Sequence, residues 1–173
     1  MGGGSSIFDN IAPDDQIIAF FPCTRFENQI TMDFRGENYG MKNWSEVKKL
    51  NYDIKLHEEL HNLYTLICKM AVVCLERKIP LIIENPKGNP HYLTRYWCLK
   101  PSLIDGNRKD RGDYYNKPTQ YWFINRKPSN NLVLDVVAHY PNTHYKEISG
   151  NRTVLRSMIS PDYANRFIRE FII

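Results

Sequence analysis

The chain has 173 residues, of which 42% are hydrophobic and 13% aromatic, and a formal net charge of +4. These values are typical of one globular domain, and no apolar run has the length of a membrane-spanning helix, so we expect no membrane partner. The four cysteines form no paired framework, which favours a reducing, cytoplasmic setting. Residues 61–173 carry seventeen Lys and Arg against nine Asp and Glu, a balance compatible with a nucleic-acid partner.

The N-terminal part of the sequence predicts a flexible start, then one strand and a long loop. Residues 1–15 contain a glycine-serine run and a proline-acid turn, so we expect a flexible start followed by one domain over residues 16–173. Gln16 begins an apolar run that stops at Pro22-Cys23-Thr24, which is typical of a buried strand. Residues 24–43 are polar and predict a long loop, which in a compact domain is more often functional than idle.

A long helix and a second strand follow. Apolar residues recur every three or four positions and predict a helix over residues 51–78, with an earlier start signal at Asn43-Trp44-Ser45. The core-facing positions are Leu56, Leu60, Leu63, Ile67, Met70, Ala71 and Cys74. The apolar run from Ile79 ends at Glu84-Asn85-Pro86 and predicts a strand buried on both faces. A strand, a helix and a strand form a β-α-β unit with parallel strands, so we expect Cys23 and Glu84 at one edge of the sheet.

The C-terminal half adds strands and a closing helix. Residues 87–118 show no period, whereas residues 120–125 and 132–137 predict two more strands, with a loop after Tyr140. A helix over residues 161–172 begins with Ser160, Pro161 and Asp162 and places Tyr163, Phe167 and Phe171 on one face. The expected fold class is therefore α/β: a partial Rossmann-like, mostly parallel sheet with flanking helices in a single domain.

The stretch His57-Glu58-Glu59-Leu60-His61 matches the HExxH pattern of zinc proteases, which sets two histidines on one face of a helix. A zinc site needs a third ligand, and the tempting carboxylate, Glu84, ends a strand and does not lie on a second helix. Leu56, Leu60 and Leu63 fit instead a helix that packs on a sheet with both histidines toward its flank. We therefore expect no metal.

The segment Tyr92–Phe123 interleaves aromatic and basic residues. It holds eight of the 22 aromatic residues and six cations, Arg95, Lys100, Arg108, Lys109, Arg111 and Lys117. Rings and cations together suit base stacking and phosphate contact. The structural alternative is that Tyr121-Trp122-Phe123 is strand core and that the basic side chains are solvated.

Cys23 and Glu84 are the candidates for covalent and acid-base chemistry. A thiol that follows a proline at a strand end can act as a nucleophile, although a free cysteine is more often a small buried hydrophobe. Glu84 alone could likewise be a structural carboxylate that caps loop amides. Their joint occurrence favours the functional interpretation, because attack on a nucleobase needs a thiolate and a nearby acid.

Four segments resemble cytosine-5 DNA methyltransferases, and more closely the short methyltransferase-like proteins of bacteriophages and prophages. Phe21-Pro22-Cys23-Thr24 resembles the Pro-Cys nucleophile loop, and Ile83-Glu84-Asn85-Pro86 resembles the Glu-Asn motif in its Glu-Asn-Pro form. Gly112-Asp113 with Lys117-Pro118-Thr119 and Trp122 resembles the Gly…Lys-Pro-Thr…Trp segment of the phage branch. Arg156-Ser157-Met158-Ile159-Ser160-Pro161, with the helix after it, resembles the closing motif.

The resemblance implies chemistry on cytosine in DNA. In that family a flipped-out cytosine enters the site, a thiolate at the Cys23 position adds to the ring, and a carboxyl group at the Glu84 position protonates the ring nitrogen. S-adenosylmethionine then supplies a methyl group to the activated carbon. The expected substrate-binding residues are Pro22, Thr24, Arg25, Asn85, Pro86, Arg108, Arg111, Lys117 and Thr119, and the two arginines near position 110 are candidates for the family's Gln-x-Arg-x-Arg motif.

The sequence departs from that family in the half of the sheet that holds the methyl donor. The family's cofactor site begins with a strand and a glycine-rich Phe-x-Gly-x-Gly turn, whereas Gly2-Gly3-Gly4 has no strand before it. Three hypotheses follow. The chain is a split methyltransferase that a partner polypeptide or a homodimer completes. Or it is a non-catalytic nucleic-acid, nucleotide or protein binder that interferes with host restriction or CRISPR defence. Or it is an unrelated small α/β enzyme with Cys23 as its nucleophile.

Overall fold

A four-stranded sheet forms the centre of the computed structural model, which describes residues 7–12, 14–27, 30–88, 90–141 and 157–173. The strands are β1 (Ile17–Phe20), β2 (Leu81–Pro86), β3 (Leu103–Asp105) and β4 (Thr119–Ile124), in the spatial order β1-β2-β4-β3. β1 and β2 are parallel, as predicted, whereas β4 runs antiparallel to both β2 and β3.

The prediction of a mostly parallel sheet is therefore wrong, and the sheet is mixed. A parallel partner for β2 requires a crossover that returns the chain to the starting edge, and a long helix usually supplies it. The helix between β2 and β4, α3 (Tyr92–Tyr96), has five residues and spans about 8 Å, less than half the length of a six-residue strand. The chain therefore enters β4 from the edge where β2 ends.

The helix that joins β1 to β2 is longer than predicted. α2 spans Glu46–Arg77, and the Ser45 hydroxyl caps it by accepting a hydrogen bond from the Lys48 amide at 3.3 Å. The helix thus begins at the start signal Asn43-Trp44-Ser45, ahead of the apolar period. The helix ends at Lys78, whose φ of 57° lies in the left-handed region. The predicted loop before α2 contains α1 (Ile30–Phe34) and a short 3₁₀ helix (Tyr39–Met41).

The core lies on both faces of the sheet. Along β2 the alternate residues Leu81 and Ile83 pack with residues of α2, among them Ile67, Ala71 and Cys74. Ile82 points to the other face, where it meets Tyr121 and Phe123 of β4. The same cluster contains Tyr163, Phe167 and Phe171 from the closing helix. Both faces of β2 are therefore covered, which explains why all six of its residues are buried.

The closing helix follows the predicted signals. α4 (Pro161–Phe167) begins after Ser160, whose hydroxyl accepts from the Tyr163 amide at 3.0 Å, and continues as a π-helical turn (Ile168–Ile172). Its aromatic face is buried as predicted. The loop before it, including Arg156 of the resemblance, lies mainly outside the described residues.

Residues 132–137, which were predicted as a strand, do not join the sheet. The Arg166 guanidinium donates to the carbonyl oxygens of Val133 at 2.9 Å and Asp135 at 3.2 Å, and so attaches this segment to α4. Three of its apolar side chains, Leu132, Leu134 and Val136, point to solvent and are at least 84% exposed. The alternation of apolar and polar residues therefore indicates an extended segment here, but this segment does not pair with a strand.

Candidate functional site

A pocket of about 490 Å³ lies at the edge of the sheet where β1 and β2 end. The pairing of Phe20 with Glu84 sets this edge, and Cys23 lies three residues beyond Phe20. The lining residues are Phe20, Phe21, Pro22, Cys23, Glu84, Pro86, Arg108, Lys117, Ser157 and Ile159. The parallel pairing of two strands thus brings a thiol and a carboxyl group, 61 positions apart in the sequence, to one cavity.

Glu84 is a buried carboxyl group with one weak ionic contact. Its side chain is 7% exposed, and its Oε1 atom lies 3.7 Å from Nη1 of Arg108 but accepts no hydrogen bond from the described residues. Burial raises the pKa of Glu84, an effect that the charges of Lys117 and Arg108 oppose and those of Asp113 and Glu27 reinforce. Burial therefore shifts this carboxyl group toward its protonated form, and that form can donate a hydrogen bond.

Arg108 is fixed in place behind that carboxyl. It is 1% exposed, forms an ion pair with Asp113, and stacks its guanidinium over the Tyr163 ring at 4.7 Å. Asp113 is held in turn by the Ser160 amide, which donates to Oδ1 at 2.9 Å. The cation next to Glu84 is thus positioned by the N-terminus of α4, on the far side of the sheet from α2.

Cys23 is a thiol and not a thiolate at neutral pH. Burial and the charge of Glu27, which also hydrogen-bonds the thiol, raise the pKa of Cys23 to about 11, although Lys117 acts in the opposite sense. The turn after β1 positions Glu27, since the Cys23 carbonyl oxygen accepts from the Phe26 amide at 2.8 Å and from the Glu27 amide at 3.1 Å. At pH 7 a thiol with that pKa is ionised in about one molecule in ten thousand.

Asn85 ties the two strand ends together from behind the pocket. Its Nδ2 donates to the Phe21 carbonyl oxygen at 3.1 Å, and its Oδ1 lies 2.9 Å from Nε2 of His91. Because the amide nitrogen already donates to Phe21, the oxygen accepts and the His91 ring donates. Burial lowers the pKa of His91 to about 4, so the ring is neutral. Asn85 therefore positions the loop that carries Cys23 and does not line the cavity.

Four other predicted residues lie outside the lining of the pocket. The guanidinium of Arg25 donates to Glu59 at 2.6 Å, and that of Arg111 donates to Asp105 at 2.8 Å and pairs with Glu170. Thr119 is buried and donates to the Lys117 carbonyl oxygen at 3.1 Å, and Thr24 is exposed. The predicted residues that meet at the pocket are Pro22, Cys23, Glu84, Pro86, Arg108 and Lys117.

Sequence reasoning did not assign a role to several residues at the site. Phe20 and Phe21 supply apolar walls, and their position directly before Pro22 is the signal that could have shown this. Ser157 and Ile159 belong to the segment that resembles a closing motif, so their position at the pocket could have been predicted. Glu27 carries no recognisable motif, and only the turn after β1 brings it to the thiol.

No family model, curated protein or solved structure matches this chain. The described residues contain no group of three or more His, Cys, Asp and Glu side chains that could hold a metal ion. In the HExxH stretch, His57 lies 3.6 Å from Asp53 and packs its ring on Phe34 at 4.6 Å between centroids. Within the same described ranges, no helix is long and apolar enough to cross a membrane.

The methyl donor that the resemblance implies does not fit the described residues. β1 is an edge strand, and no strand of the described part of the chain lies beyond it. The described segment before β1 forms a 3₁₀ helix (Ile7–Asn10) and contains no glycine-rich turn that could receive the ribose and carboxylate ends of S-adenosylmethionine. The edge that carries Cys23 and Glu84 thus occurs without an adjoining donor-binding strand in the described part of the chain.

Proposed function

We propose that this chain is a DNA cytosine methyltransferase-like protein that takes one unstacked base of a nucleic acid into the pocket, and that it does not transfer a methyl group autonomously. The observation that carries the proposal is the presence of Cys23 and Glu84 in the lining of one cavity at the end of parallel strands. Its volume, about 490 Å³, falls in the range of small-ligand sites.

The chemistry of the lining suits a pyrimidine. A protonated Glu84 donates a hydrogen bond to an unprotonated ring nitrogen such as N3 of cytosine, whereas N3 of thymine carries a hydrogen and cannot accept. Phe20 and Phe21 offer apolar surface to the ring. Arg108 is engaged by Asp113 and Glu84, so we assign the phosphate contact to Lys117, which lines the same cavity.

The state of Cys23 favours binding over autonomous catalysis. Addition of Sγ to C6 of cytosine requires the thiolate, and the pKa of about 11 leaves the thiol protonated in the free protein. This observation supports a non-catalytic binder of nucleic acid. The biological role that we assign to such a binder is interference with host restriction or CRISPR defence. In a catalytic complex, Glu27 is the carboxylate placed to accept the thiol proton.

The test is the affinity for labelled single-stranded oligothymidine that contains one cytosine or none, measured by fluorescence anisotropy. We expect tighter binding with the cytosine, and we expect Lys117→Gln to weaken both about tenfold, as for the loss of a phosphate contact. Lys127→Gln is the matched control, because Lys127 is exposed and follows the other end of β4. Equal affinity for the two oligonucleotides would contradict the proposed base pocket.

The pH dependence isolates the role of Glu84. Because its pKa is raised, the donating form is present at low pH and is lost as the pH rises through that pKa, so the preference for cytosine should fall with pH. Glu84→Gln keeps a hydrogen-bond donor at every pH, so the preference of this variant for cytosine should not change with pH.

Enzymatic competence is tested separately by exchange of the cytosine C5 hydrogen in deuterated water, which needs only reversible addition of Cys23. Exchange that Cys23→Ala abolishes would favour the enzyme.

A further inference from the structure

The N-terminal part of α2 extends past the edge of the sheet that carries the pocket. Arg25, in the turn after β1, pairs with Glu59 near the middle of the helix. At the opposite edge of the sheet, the side-chain amide of Asn125 donates to the Cys74 carbonyl oxygen at 2.6 Å, near the end of the helix. Glu46 begins the helix thirteen positions before Glu59, so about 20 Å of helix projects beyond the carboxyl ends of the strands.

The segment between β1 and α2 packs against this projecting part of the helix. The Phe34 ring of α1 contacts His57 at 4.6 Å between centroids. Gly36 has a φ of 64°, and a Cβ atom there would lie 3.2 Å from Cδ of Lys49, so the glycine lets the Lys49 side chain lie across the turn. A second cavity of about 530 Å³ lies between the segment and the helix. We call it the overhang pocket, and its lining includes Met32, Tyr39, Lys42 and Lys49.

The overhang pocket combines cations with an exposed aromatic ring. Within the described ranges, no carboxylate forms an ion pair with the ammonium group of Lys42 or Lys49. Glu37, an acidic residue of the lining, pairs with Arg35 at 2.9 Å, so its charge is already offset. Tyr39 is 88% exposed and makes no ring contact with another described aromatic residue. Ammonium groups suit a phosphate, and an open ring next to them suits the base that the phosphate carries.

We propose that the overhang pocket binds phosphates and one base of the same nucleic-acid strand whose unstacked base enters the pocket at Cys23 and Glu84. This inference rests on the proposed function. Both sites lie beyond the carboxyl ends of β1 and β2, and Lys49 is ten residues, or about 15 Å of helix, from Glu59 at the sheet edge. A strand of several nucleotides covers that distance. The bases of a duplex are stacked on one another, so the open Tyr39 ring favours a single strand.

The experiment measures how affinity for single-stranded oligothymidine of about 15 nucleotides, with one cytosine, depends on salt concentration. Each phosphate contact on a single strand contributes about 0.7 to the slope of log affinity against log salt. The double variant Lys42→Gln, Lys49→Gln should therefore lower the slope by about 1.4 and weaken binding about a hundredfold at low salt. The double variant Lys42→Arg, Lys49→Arg keeps both charges and should retain the native slope. The matched control is Lys69→Gln, because Lys69 is exposed on the same helix about 30 Å further along.

The aromatic part of the proposal has a different signature. Tyr39→Ala removes a stacking surface and no charge, so it should weaken binding about tenfold and leave the salt slope unchanged. A change in affinity without a change in slope thus separates the ring from the two lysines.

The overhang pocket and the base pocket are tested by separate readouts, the salt slope and the preference for cytosine. The glutamine double variant should keep the native preference for cytosine, which also shows that it is folded. An unchanged slope in that variant, an equal loss in Lys69→Gln, or native affinity in Tyr39→Ala would overturn the overhang pocket. A native chain that prefers no base, combined with the expected loss of slope in the double variant, would contradict the base pocket and still support the overhang pocket.

Discussion

The reactivity of Cys23 is the most direct test of the electrostatics of the pocket. Burial and Glu27 raise the pKa of the thiol from 9.0 to about 11, and alkylating agents react with the thiolate. Two pKa units correspond to about a hundredfold less thiolate, so we expect Cys23 to be alkylated about a hundred times more slowly at pH 8 than an unperturbed cysteine. The rate should rise about tenfold per pH unit up to pH 10.

Two substitutions should change that rate in opposite directions. Glu27→Gln removes a negative charge and should increase the alkylation rate about tenfold, although the effect of burial remains. Lys117→Gln removes the cation that lowers the pKa and should decrease the rate. A change in accessibility alone would not predict opposite signs from neighbouring positions, so the pair separates the charge effect from simple opening of the pocket.

The assay is alkylation with iodoacetamide followed by digestion and mass spectrometry of the peptide that contains Cys23. The exposed Cys98 provides an internal reference in every sample. A rate at Cys23 that reaches its plateau below pH 9 would refute the reasoning, because the thiol would then be ionised in a range where burial and Glu27 should prevent it. Equal effects of the two substitutions would refute it as well.

Two further predictions concern stability, measured by urea denaturation. Asn85→Ala leaves the Phe21 carbonyl oxygen and the His91 ring without their partner and should lower the free energy of unfolding by about 2 kcal/mol, whereas Thr24→Ala on the exposed loop should change it little. Arg108→Met leaves the buried carboxyl group of Asp113 without its ion-pair partner and should cost about 3 kcal/mol or more. A neutral effect of either substitution would mean that the group it removes is not buried in the folded protein.

The sequence predicted those elements whose signals are local. β2 is apolar until Glu84 and lies between a helix and a turn, and α4 begins with a serine cap and a proline. Both were therefore found to within two residues. The shared edge of β1 and β2 followed from the helix between them, because a strand, a helix and a strand almost always give parallel neighbours.

The elements that were missed depend on contacts between distant residues. β3 has three residues, too few to show a period, and exists because β4 pairs with it. Residues 132–137 have the period of a strand but pair with no strand. The Asn131 amide donates instead to the carbonyl oxygen of Glu170, and Arg166 donates to the carbonyl oxygens of Val133 and Asp135, which strand pairing would otherwise use. In both cases residues far along the chain decide the pairing.

The same limit applies to the candidate site. Arg108 and Arg111 are three residues apart on one 3₁₀ turn and look equivalent in the sequence. Their acidic partners differ, since Arg108 pairs with Asp113 and Glu84, whereas Arg111 pairs with Asp105 and Glu170. The closing helix also separates them, since Arg108 stacks on Tyr163 and Arg111 pairs with Glu170, and no pattern near position 110 encodes these contacts.

The order in which the chain is made has a consequence for the pocket. Synthesis proceeds from the N-terminus, and domains begin to fold as their residues emerge. All four strands are complete at Ile124, but Tyr163 and Ser160, which hold Arg108 and Asp113, emerge later. A chain still in synthesis, whose sheet is already complete, therefore exposes the aromatic residues of the sheet that α4 later covers. Its pocket also lacks the residues that hold Arg108 in place. The position of Arg108 beside the pocket is therefore fixed last, after the sheet is complete.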